Sequence, residues 1–137
     1  MTTKGAGRPR VAPSPPSPRT IGEWKQEILR VYNAVNQEIT GAGVSRQRVQ
    51  ISDDHIVVVA EHHRVPTLAT IARFDAVLGR WADAAVLDAA KARLAEVLTD
   101  LGVDVVSVLK DYDPVAELTA TVVVLRTPLV CSDDTTG

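Results

Sequence analysis

A chain of 137 residues, 45% hydrophobic but only 4% aromatic, is sized for one domain with a core of Val, Leu, Ile and Ala. A formal net charge of −2 argues against wholesale nucleic-acid binding. The lone Cys131 excludes an internal disulfide and fits a reducing cytoplasm. The longest fully apolar run, "IVVVA", falls far short of the ~20 residues a membrane helix needs, so no direct span is expected.

Residues 1–19 are read as a disordered Pro/Arg-rich arm. Five of the eight prolines fall in the first 18 residues, and Lys4, Arg8, Arg10 and Arg19 stand there without an acid. The stretch has no apolar h-region of a secretory signal. Its "PSPPSP" has the spacing of an adaptor ligand, but a solvated arm is the plainer reading. Residues 20–128 form the expected domain, with residues 129–137 a flexible tail. From 21 to 128 the chain carries 11 basic and 15 acidic side chains, an acidic core that disfavours a nucleic-acid partner.

The domain opens on "TIGE", a capping box in which Thr20 and Glu23 satisfy each other's amides. Ile21, Trp24, Ile28, Val31, Val35 and Ile39 then form one apolar helical stripe, with Trp24 expected against a sheet. "TGAG" stops the helix. "RQRVQI" alternates, with Arg46, Arg48 and Gln50 on an outer face and Gln47, Val49 and Ile51 inward. "SDDH" is a turn, and "IVVVA", apolar on both faces, is a central strand. Pro66 starts an Ala-rich helical stretch to Leu101, with Leu68, Ile71, Leu78 and Trp81 as a first stripe. Gly79 and Asp83 suggest a break there. Gly102 ends the stretch. "VDVVSVLK" and "ELTATVVVLR" make a second strand pair joined by the loop "DYDPVA". The expected fold class is α+β: a four-stranded antiparallel sheet in α-ββ-α(α)-ββ order, with helices packed mainly on one face.

"SDDHIVVVAEHH" is the stretch that looks most like chemistry. His62 and His63 are adjacent and point to opposite faces of a strand. His55 lies about 20 Å away along it. That spacing argues against a metal site, and the stretch reads as a hairpin turn, a buried strand and a polar exit. Cys131 falls in the expected tail, which disfavours a nucleophile. "GAGRPR" lacks the GK[ST] end of a phosphate-binding loop. No residue set points to a cofactor or to catalysis. Two candidates remain. Gly41 and Gly43 beside Arg46 and Arg48 offer amides and guanidiniums to an anion or partner, against a helix stop and a solvated strand face. Asp111 and Asp113 are loop candidates, a carboxylate pair or ordinary turn chemistry.

Taken together, these residues resemble the MpsC-like domain family, once a domain of unknown function. The likeness rests on Gly41–Ala42–Gly43–Val44 at the helix stop, and on Val49, Ile51, Asp54, Ile56, Val57 and Val58 in the hairpin. Gly102, Val105, Asp111, Asp113 and Pro114 carry it near the end. It spans roughly residues 21–127. Val44 replaces the family's proline, and the "L-T-x-x-E" opening of the middle helix is missing. The family belongs to a bacterial system linked to sodium translocation, membrane potential and inorganic-carbon supply. The resemblance therefore implies a small non-enzymatic accessory domain that contacts a membrane transport complex. The strand and helix order also matches the tunnelling fold, an oligomeric small-ligand binder or enzyme. Its anchoring acid would here be Glu61 or Glu117. Finally, apolar outer faces on "IVVVA" and "TVVVLR" call for a cover, either the first helix, a foreign partner or a second subunit; a homodimer is expected.

Overall fold

The computed structural model describes residues 19–132, so the arm, apart from Arg19, and the end of the tail lie outside the described residues. In chain order the elements are α1 (Ile21–Thr40), β1 (Ser45–Ile51), β2 (His55–Glu61), α2 (Pro66–Phe74), α3 (Ala76–Asp100), β3 (Val105–Asp113) and β4 (Leu118–Leu125). The four strands form one antiparallel sheet in the order β1-β2-β4-β3. The fold is thus α+β, with its helices on one side of the sheet.

Local chemistry sets the ends of α1. The Thr20 hydroxyl accepts from the Glu23 amide at 3.1 Å, and Glu23 accepts from the Thr20 amide at 2.9 Å. Gly41 closes the helix in the left-handed conformation, at φ 81°. The stripe faces the sheet: Trp24, Ile28, Val31, Tyr32 and Val35 are buried with Ile56, Val58, Val108, Val123 and Leu125. Leu94, Leu98 and Val103 complete the core from α3 and its exit. At that exit the Val103 amide bonds the Leu98 carbonyl at 3.0 Å around Gly102, at φ 98°.

Trp24 is 4% exposed, and its indole N–H donates to the Val130 carbonyl at 2.9 Å. Residues 129–132, expected to begin a flexible tail, therefore run back along α1. Leu129 packs on the core, and the Ser132 amide donates to the Arg19 carbonyl at 2.8 Å.

The helical stretch after Pro66 does break, but at Asp75 and not at Gly79 or Asp83. Asp75 takes an extended conformation, and its carboxylate accepts from the Val77 and Leu78 amides at 3.0 and 3.1 Å, so a side chain starts α3 afresh. Gly79 lies inside α3 and serves the crossing with α2: a Cβ there would sit 2.6 Å from the Ala72 Cα. Gly79→Ala is expected to push α2 off α3 at a cost of ~1–3 kcal/mol, partly offset by better helix propensity. Hydrogen exchange should show lost protection across α2 with the sheet unchanged. Undiminished α2 protection would contradict that crossing.

Leu78 and Trp81, placed in an apolar stripe by the sequence, do not join the core. Trp81 is 72% exposed and Phe74 86%, with Val77 and Leu78 beside them. The first turns of α3 lie against α2 at Gly79 and Ala72, and α2 itself has no buried residue.

Candidate functional site

The open face of the sheet gathers the charged residues singled out in the sequence. Strand alternation puts Ile56, Val58 and Ala60 of β2 and Thr119, Thr121, Val123 and Leu125 of β4 under the helices. Val57, Val59, Ala120, Val122 and Val124 then point the other way. Since α1 packs on the buried side, it does not cover this face. Cross-strand register arranges the outer residues in rows. One row runs Arg48–Val59–Ala120–Asp111, and the next Gln50–Val57–Val122–Leu109. A third holds Ser45, Glu61, Leu118 and Asp113. Leu109, at 55% exposure, and Leu118 widen the apolar centre.

Apart from Glu61 of β2, charge on this face is segregated by edge. Arg46 and Arg48 stand on the β1 edge, while Asp111 and Asp113 stand on the β3 edge, three strand spacings or about 14 Å away. Arg46 adopts φ 49° at the bulge in β1, and its guanidinium lies 3.6 Å from Glu61. Arg48 and Asp111 have no ion-pair partner among the described residues. Asp113 behaves as a turn residue, accepting from the Val115 and Ala116 amides at 3.0 and 3.1 Å. Asp111 does not lie in a loop. β3 continues through Asp113, which shortens the expected "DYDPVA" loop to residues 114–117. The extension is held by the ladder to β4 and by Tyr112, whose hydroxyl donates to the His62 carbonyl at 2.7 Å.

Gly41 and Gly43 lie in the turn between α1 and the arginines of β1. Three of the amides there are spent within the chain: Gly41 on the Gln37 carbonyl, Ala42 on the Thr40 hydroxyl and Val44 on the Asn33 side chain. Asn33 lies so close over Gly43 that a Cβ there would meet its oxygen at 2.4 Å.

The histidines also separate. His55 starts β2 and bonds Asp54 at 2.7 Å. His62, 7% exposed, donates from Nδ1 to the His63 carbonyl at 2.9 Å and faces the Thr40 hydroxyl with Nε2. His63 turns outward to Glu117 at 3.2 Å. Among the described residues no group of three or more His, Cys, Asp or Glu side chains converges as metal ligands. No described helix is long and apolar enough to cross a membrane.

Both acids considered as ligand anchors are engaged within the chain. Glu61 pairs with Arg46, and Glu117 accepts from the Arg64 amide at 2.7 Å. That amide bond, followed by the His63 hydrogen bond, holds the Glu117 carboxyl below the usual glutamate value of 4.5. A lowered folded pKa adds stability that is present above 4.5 and lost as pH falls through the folded value. Glu117→Gln is therefore expected to flatten the acid limb of the stability profile below pH 4.5, read from melting midpoints at stepped pH. An unchanged limb would contradict the bond from the Arg64 amide to Glu117.

One residue that the sequence reading passed over is Lys110. Its position between Val108 and Tyr112 on the helix-facing side of an edge strand was the available signal. Comparisons of the chain with protein-family models, curated proteins and solved structures found no match.

Proposed function

We propose that the domain works by protein contact and that its first partner is a second copy of itself, seated face to face on the open sheet. The observation that carries this reading is the edge segregation of charge around an apolar centre. A two-fold axis parallel to the strands, midway between β2 and β4, lays β1 of one copy over β3 of the other. It stacks the Val57, Val59 and Val122 stripe on itself and sets Arg48 over Asp111 of the partner subunit, twice per dimer. Aligned sheets pack about 10 Å apart, within reach of an Arg–Asp pair at the rim. Light scattering on the full chain at tens of micromolar is expected to give twice the monomer mass. A clean monomer would remove the proposal.

The resemblance to the MpsC-like family supplies the second step, in which the paired domain is an accessory subunit touching a membrane ion-translocating or inorganic-carbon system. Support for that step is the likeness of the hairpin and of the "GVDVVSVLKDYDP" segment alone. Affinity purification from detergent-solubilised membranes of the source cells tests it. Recovery of an ion-translocating subunit by the dimer, lost for a monomeric variant, is the expected result; recovery of none counts against it.

A further inference from the structure

On the opposite side of the sheet from the proposed contact face, a cleft opens between the end of α1, the middle of α3 and the segment after β2. Its cavity volume is about 80 Å³, room for a small polar head group, and it opens outward along the α3 side. Val86, Leu87 and Ala90 of α3, with Val65 and Leu68, make an apolar wall. Lys110, Tyr112 and Thr119 make a polar floor.

Lys110 is the unusual member. From an edge strand its side chain has an easy path to water, the usual course for a lysine. Instead the ammonium turns inward, donating to the Tyr32 hydroxyl at 2.8 Å and to Thr119 at 3.0 Å, with Thr121 at 3.4 Å. It also lies 4.8 Å from the centroid of the Tyr32 ring. Neutral oxygens and a ring face solvate the cation without cancelling its charge. At the mouth, Arg64 and Asp83 cancel each other through a two-pronged contact of 2.9 and 3.3 Å. Apart from the two histidines, Lys110 is the one charged side chain without an ionic partner among the described residues lining the cleft.

We propose that this cleft binds a small organic monoanion, a carboxylate with an apolar body, its head taking the Lys110 N–H that otherwise makes the long 3.4 Å contact to Thr121, and its body along the α3 wall. One cation suits a monoanion better than a phosphate dianion, and the aliphatic wall suits a hydrocarbon body better than a sugar. The site is independent of the sheet face and stands or falls separately from dimerisation.

Calorimetric titration of the full chain with 4-phenylbutyrate, 4-phenylbutan-1-ol and inorganic phosphate tests the assignment. The acid is expected to bind saturably at about millimolar or tighter, as a fragment of its size allows. The isosteric alcohol and phosphate should bind at least about tenfold more weakly, since each lacks one of the two features recognised. Lys110→Met should weaken the acid by about tenfold or more and leave the alcohol unchanged. Leu87→Trp, which fills the wall without touching Lys110, should weaken both organic probes. The acid-to-alcohol comparison on the unaltered protein decides the matter even where a variant misfolds. Equal binding of acid and alcohol, undiminished binding by folded Lys110→Met, or no saturable binding of the acid would each overturn the proposal.

Discussion

Trp24→Ala is expected to lower unfolding stability by ~3–5 kcal/mol, measured from urea midpoints with the slope unchanged. The indole is buried at the start of α1, and it ties two distant stretches of chain together. Its ring packs in the core and lies 4.8 Å from the Arg19 guanidinium, while its N–H holds the Val130 carbonyl. Truncation leaves a cavity and frees residues 129–132 at once. Trp24→Phe separates the two effects. It keeps most of the packing and gives up the hydrogen bond, so it should cost about 1 kcal/mol and loosen the Ser132 amide selectively. A loss under ~1 kcal/mol for the alanine variant would mean that the α1 face is not the core described here.

Val122→Asp is expected to convert the proposed dimer to monomer while leaving the fold intact. Val122 sits at the centre of the open face and is paired with Val57 and Leu109. A two-fold interface would bury the new carboxylate twice without a counter-charge, and its dissociation constant should rise by about 100-fold or more. In the isolated subunit the same side chain stays at a half-open surface, so the melting midpoint extrapolated to low concentration should barely move. The edges test the orientation of the pair. Arg48→Asp or Asp111→Arg alone should weaken association by about tenfold, and combining them in one chain should restore it. Failure of the combined variant to recover would exclude the axis parallel to the strands, whatever the mass of the unaltered protein.

Much of the architecture was written locally. Thr20 and Glu23 announce the first helix because capping needs only residues three apart, and Gly41 and Gly102 end helices because a left-handed residue must sit there. The alternation of β1 and the two-sided apolar runs of β2 and β4 follow from the period of a strand, and they named the open face in advance. Where local signals compete, contacts distant in sequence override them. Gly79 looked like a breaker but is a contact point for Ala72. Asp75, one acid among many, caps the new helix. "DYDP" looked like a loop, yet β4 supplies a ladder that carries β3 through Asp113.

The functional geometry depended on pairings that no short stretch encodes. Arg48 and Asp111 lie 63 positions apart in sequence, and only the order β1-β2-β4-β3 puts them on opposite edges of one row. Lys110 reads as a surface lysine until α1 brings the Tyr32 hydroxyl across the sheet to meet it, 78 residues away. Periods and caps are short-range properties and are fixed by sequence. Which charges face each other, and which are left without a partner, follows from long-range register, which only the folded chain decides.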